Sequence, residues 1–106
     1  MNVQSFTQRE SELIEGVFHA HPKIAGVILF GSRAKGTHRP QSDVDLALLG
    51  NLKPLEAEEI ASELDELPLP YRFDVVVFDL IRHPPLREHI ERVGIPLYPD
   101  AVALKS

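Results

Sequence analysis

Three aspartates stand in or at the head of stretches that otherwise read as buried β-strands, and a fold that gathers them calls for something positive beside them. Asp43 and Asp45 flank Val44 at the head of an apolar run that ends at Leu49, and Asp74 interrupts the run from Tyr71 to Phe78. Residues two apart on a strand point to the same face, so Asp43 and Asp45 share one. Asp is depleted in strands, and like charges on one face repel. Asp74 shares its face with Arg72, Val76 and Phe78, while Phe73, Val75 and Val77 point the other way. If the two strands are neighbours, the three carboxylates meet in a hard-oxygen site of the kind that suits Mg²⁺. Plainer readings also exist. Asp43 and Asp45 could cap the strand start beside the turn at Pro40–Ser42, Asp74 could pair with Arg72 on an edge strand, and Asp79 reads as a helix cap.

Upstream, Gly31-Ser32 follows a buried strand and opens a short helical stretch, Ser32 to Lys35, before Gly36. Free backbone N–H groups at such a place can hold phosphate. Gly31 allows close backbone approach, and the Ser32 hydroxyl can reach a phosphate oxygen. Arg33, Lys35 and Arg39 supply cations nearby, or are simply solvated. An ordinary turn is the alternative for Gly31-Ser32. A phosphate cradle close to a carboxylate site points to in-line displacement at phosphorus.

Prolines divide the rest of the chain into alternating elements. Thr7 with Glu10 forms a capping-box pattern, and Leu13, Ile14, Val17 and Phe18 fall on one helical stripe that Pro22 closes. A strand buried on both faces is expected from Ile24 to Phe30, and a second from Val44 to Leu49, ended by Gly50-Asn51. Pro54 opens a helix with Glu56, Glu58 and Glu59 near its positive end, and Ala57, Ile60, Ala61, Leu64 and Leu67 form its apolar stripe. Pro68 and Pro70 end it, and a strand follows from Tyr71 to Phe78. Leu86, Ile90 and Val93 make a short amphipathic helix with Gly94 as its C-terminal stop. A last short strand runs from Ile95 to Tyr98, before a loose tail. The expectation is an α/β (α+β) sandwich, a small mixed sheet of about three or four strands flanked by helices.

The 106 residues are expected to form one domain, residues 1–106. Eleven basic residues against sixteen acidic ones give a net charge of −5, which argues against direct nucleic-acid binding but not against a single nucleotide as substrate. No apolar run approaches the ~20 residues of a membrane span, and the N-terminus lacks an apolar signal segment. The chain has no cysteine, which removes disulfides and thiolate metal sites and fits the cytoplasm. His19 and His21 flank the end of the first helix, and His83 and His89 lack ligand spacing, so all four are read as solvent-exposed. Tyr71 and Tyr98 are read as core or rim aromatics.

Gly31-Ser32, ten intervening residues, then Asp43-Val44-Asp45 resembles the GS-x10-DxD pattern of the DNA polymerase β-like nucleotidyltransferase superfamily. The stretch from Gly31 to Leu48 looks like the minimal nucleotidyltransferases, the MNT or MntA-like antitoxin group, and the similarity continues through Asp74 to the Leu86–Tyr98 region. That resemblance implies a polymerase β-like nucleotidyltransferase core and Mg²⁺-dependent transfer of AMP from ATP, with a pair of ions. Asp43 and Asp45 would bind both ions. Asp74 would bind the catalytic one and help take the proton from the attacking hydroxyl. Gly31, Ser32, Arg33 and Lys35 would face the nucleotide. The family's usual partner is a HEPN-domain toxin encoded nearby, held in a heteromeric complex and silenced by AMPylation of a tyrosine. A chain with no residues to spare for an acceptor domain is expected to take its acceptor from such a partner. Competing functions are a silent module that neutralises its partner by contact, and a small-molecule nucleotidyltransferase of the aminoglycoside type.

Overall fold

A computed structural model describes residues 6–35 and 43–99. Gly36, Arg39 and the expected turn at Pro40–Ser42, and the residues after Pro99, lie outside the described part. Helix α1 (Gln8–His19) starts at Thr7, whose hydroxyl accepts from the Glu10 amide at 3.1 Å while the Glu10 carboxylate accepts from the Thr7 amide at 2.9 Å. This reciprocal cap satisfies two amides that the first turn cannot. The stripe behind it buries Ile14 and Phe18 completely. His21, expected in solvent, is instead half-buried and bonded to Glu63 at 3.0 Å, because the turn after α1 packs against a later helix.

Strand β1 (Gly26–Phe30) begins later than Ile24, since the Ile24 amide is turned back to the His21 carbonyl at 3.0 Å. It leads through Gly31 into α2 (Ser32–Lys35), and β2 (Val44–Leu49) follows with its expected bounds. Gly50 turns the chain at φ +135°, where an added Cβ would strike the Lys23 carbonyl oxygen. Helix α3 (Pro54–Asp65) buries Ala57, Ile60 and Leu64. Its first turn is held by Glu56, which accepts from the Lys53 amide at 2.9 Å and pairs with Lys23 at 3.2 Å.

Strand β3 (Phe73–Val77) is shorter than the expected Tyr71–Phe78. At its start the Tyr71 hydroxyl donates to the Glu10 carboxylate, at 3.0 and 3.1 Å, which ties that residue to α1. At its end Phe78–Leu80 forms a 3₁₀ turn. Asp79 lies inside this turn and caps no helix; the residue before α4 (Pro84–Val93) is His83, which makes no side-chain cap. Arg87 from α4 fastens the turn, donating to the Phe78 carbonyl at 2.9 Å with its guanidinium 4.4 Å from the Phe78 ring centroid. Strand β4 (Ile95–Tyr98) ends the described chain.

The strands form one mixed sheet in the order β3-β2-β1-β4. β1 is antiparallel to both its neighbours, and β2 runs parallel to β3 through the crossover helix α3. Alternation along the strands then makes two unequal faces. Val27, Leu29, Val44, Leu46, Leu48, Phe73 and Val77 join the large core with α1 and α3. Phe30 and Ala47 meet Ile90 of α4 in a smaller cluster on the opposite face. Among the described residues no helix is long and apolar enough to cross a membrane.

Gly94 does stop α4, but not by the left-handed turn usual for a glycine there. Its φ is −63°, which any residue adopts. The reason for glycine is space: a Cβ would collide with the Ile90 carbonyl oxygen and the Ile28 side chain, where α4 presses on β1. Backbone entropy alone would make Gly94→Ala stabilising by about 0.4–1 kcal/mol. The packing predicts the opposite, a loss of about 1–3 kcal/mol in urea denaturation, and a gain would show that α4 does not sit this close.

Candidate active site

The register of β2 and β3 builds the site. Asp45 and Asp74 are direct partners across the parallel pair, and Phe30, the last residue of β1, is the partner of Asp45 on its other side. Paired strands run about 4.8 Å apart, so both carboxylates and the Gly31 turn gather at one end of the sheet. By alternation both carboxylates lie on the face that carries the smaller cluster, beyond its cover of Phe30, Ala47 and Ile90. Asp43 stands one residue before β2, exposed, and two residues from Asp45. Asp74 is exposed on β3 and Asp45 is half-buried.

Electrostatics tie the three together. The Asp45 carboxyl is raised above its ordinary value of 3.8, first by burial and then by the charges of Asp74 and Asp43. Each of these causes penalises the ionised form. Asp74 forms no ion pair with Arg72 among the described residues, which removes the plainer explanation for a charge in this strand.

Gly31 adopts φ +76°, and a Cβ there would land on the Asp45 carboxylate. Glycine is therefore required twice, by its backbone and by the carboxylate behind it. Ser32 follows at the start of α2, half-buried, and Lys35 ends α2 exposed. Arg33 is neither exposed nor simply solvated: it is 4% exposed, with its guanidinium 4.6 Å from the Tyr71 ring centroid and 6.0 Å from that of Phe6. Nothing in the local sequence marks Tyr71 and Glu10 as supports for this turn; the only hint is that Tyr71 lies three residues before Asp74.

Hard carboxylate oxygens, mutual repulsion and a glycine that leaves one carboxylate room are the features a divalent cation exploits. The fit is of donor chemistry: among the described residues no group of three Asp, Glu or His side chains is already drawn together as a cation would draw it.

The shift at Asp45 has a sign that can be measured. A carboxyl raised on folding contributes its stability below 3.8 and loses it as pH rises through the folded value. In chelator at pH 7, Asp45→Asn should therefore melt above the unmodified protein. The gap should close in acid, and Mg²⁺ should raise the melting point of the unmodified protein alone. A variant that melts lower at pH 7 would show that the three charges do not strain this site.

The fold has relatives. A family model described as polymerase beta, nucleotidyltransferase, matches residues 12–101. No curated protein matches the chain in sequence. Among solved structures, a toxin–antitoxin crystal structure with AMP-PNP superposes with a TM-score of 0.72 at 21% identity, over 90% of this chain and 86% of that one. The MntA-HepT toxin–antitoxin crystal structure gives 0.67 at 21% identity, over 92% and 76%. A tri-AMPylated Shewanella oneidensis HEPN toxin in complex with MNT antitoxin gives 0.67 at 21%, over 92% and 76%. At these identities the likeness is one of fold. The family match, in contrast, runs through the Gly31-Ser32 turn and both carboxylate strands, and the chain belongs to the polymerase β nucleotidyltransferase family.

Proposed function

We propose that this nucleotidyltransferase moves AMP from ATP to a hydroxyl, a tyrosine of a HEPN-type toxin, and so acts as that toxin's antitoxin. The observation that carries the reading is the pairing of Asp45 with Asp74 directly beside the Gly31 turn. It sets carboxylates and a place for phosphate on one sheet end, as phosphoryl chemistry requires. The fold likeness to toxin–antitoxin structures, one with AMP-PNP and one with an AMPylated HEPN toxin, supports the choice of nucleotide and partner.

Asp43, Asp45 and Asp74 would hold Mg²⁺, which when bound supplies the positive charge that lets carboxylates and a triphosphate share the site. The Gly31 backbone and the Ser32 hydroxyl hold a phosphate oxygen, and Lys35 offers a cation from the exposed end of α2. Asp74, exposed on β3, accepts the proton of the attacking hydroxyl. A bond forms between that oxygen and the α-phosphorus, the bond to the pyrophosphate oxygen breaks, and pyrophosphate leaves. Such a substrate suits a cytoplasmic protein.

Co-expression with the neighbouring gene product, read by intact-mass spectrometry, tests the reading. One or more AMP units on the partner are expected with the unmodified protein and none with Asp74→Asn or Asp43→Ala, both of which should keep the fold. Losses of about 10³-fold or more in rate are in scale for groups of this kind. A partner that stays unmodified yet co-purifies with every version would instead identify a module that neutralises by contact.

A further inference from the structure

Helix α2 has four residues, and its Lys35 amide donates back to the Gly31 carbonyl at 3.2 Å. So short a helix does not hold itself in place. The side chain that follows Ser32 is Arg33, almost fully buried, and a buried cation is tolerated only with compensating contacts. Part of that compensation is the face of Tyr71, 4.6 Å away. Tyr71 is itself pinned. Its hydroxyl donates to both Glu10 oxygens, Phe6 meets its ring edge-on at 5.6 Å, and Glu10 is locked by the Thr7 cap. One residue further on, the Arg72 carbonyl accepts from the Val44 amide at 2.8 Å, at the head of the two carboxylate strands.

We propose that Arg33 is a positioning residue: stacked on Tyr71, it anchors the Gly31-Ser32 turn against the strands that carry Asp45 and Asp74. The inference rests on the reading of that turn as the phosphate-holding part of the site. Arg33 then acts on the nucleotide through the turn's position, not by touching phosphate. Loosening the stack frees the turn while the aspartates stay on the sheet, so nucleotide affinity and KM move more than kcat.

A double-mutant cycle separates this from direct contact. Binding of AMP-PNP with Mg²⁺ would be measured by calorimetry for the unmodified protein, Arg33→Gln, Tyr71→Leu and the double variant, with amide hydrogen exchange followed at residues 31–35. Each single change should weaken binding on the order of tenfold and speed exchange in that segment. The double variant should be little worse than either. Tyr71→Phe, which keeps the ring, should lose much less than Tyr71→Leu. Should Arg33→Gln not fold, Arg33→Lys keeps the charge without the planar stack and should show the same coupled loss. Additive losses, or a silent Tyr71→Leu beside a damaging Arg33→Gln, would mean that Arg33 touches the nucleotide directly and would overturn the inference. A lowered melting point with unchanged affinity and exchange would overturn it as well. If the unmodified protein fails to bind AMP-PNP, the reading of the turn falls, and hydrogen exchange alone then decides whether Arg33 anchors it.

Discussion

The structure turns on one pairing, the parallel contact between β2 and β3 that sets Asp45 opposite Asp74. Left to themselves, two carboxylates at this separation would push the strands apart. They are held by what lies on the reverse of the same strands, where Val44, Leu46, Leu48, Phe73 and Val77 are sealed under α1 and α3. Fully burying a side chain of that kind stabilises by about 1.5–3 kcal/mol, so several of them outweigh a solvent-screened repulsion on the other face. The division of labour is unequal. One face of the sheet supplies most of the cohesion, and the other keeps a small apolar cluster under α4 and carries the charge at its end.

This division explains what could be read from the chain before any coordinates. Period-two alternation shows that Asp43 and Asp45 share a face and that Asp74 opposes Phe73 and Val75, because the pleat alone sets those relations. Helix starts at Thr7 and Pro54 were legible for the same reason, being fixed by residues a turn apart. Whether Asp74 meets Asp45 was not, since strand order and register depend on a crossover that no local pattern encodes. The register decided that point.

The features that escaped the sequence reading each depend on a partner in another element. Arg33 looks like any surface cation until Tyr71 arrives, 38 positions later, to cover it. His21 is solvent-exposed in every local sense, yet it meets Glu63 on α3. Tyr71 and Phe78 have strong strand propensity, and both were drawn out of β3, one by Glu10 and the other beneath Arg87. Gly94 was placed correctly for a mistaken reason, because a helix stop and a helix contact ask for the same residue. For Arg33, His21, Tyr71 and Phe78, contact with another element overrode local preference.

β3, the strand that carries Asp74, is one of the two edge strands of the sheet, and among the described residues no further strand lies on its outer side. An enzyme that closes its reactive carboxylate inside a cleft sets an upper size for whatever brings the hydroxyl. A carboxylate on a boundary strand sets none. A side chain on the surface of a whole folded protein can be offered to it without being unfolded or threaded, and the bulk behind that side chain stays in solvent. On the proposed reaction, selectivity among acceptors would then come from how two surfaces fit, not from the volume of a pocket.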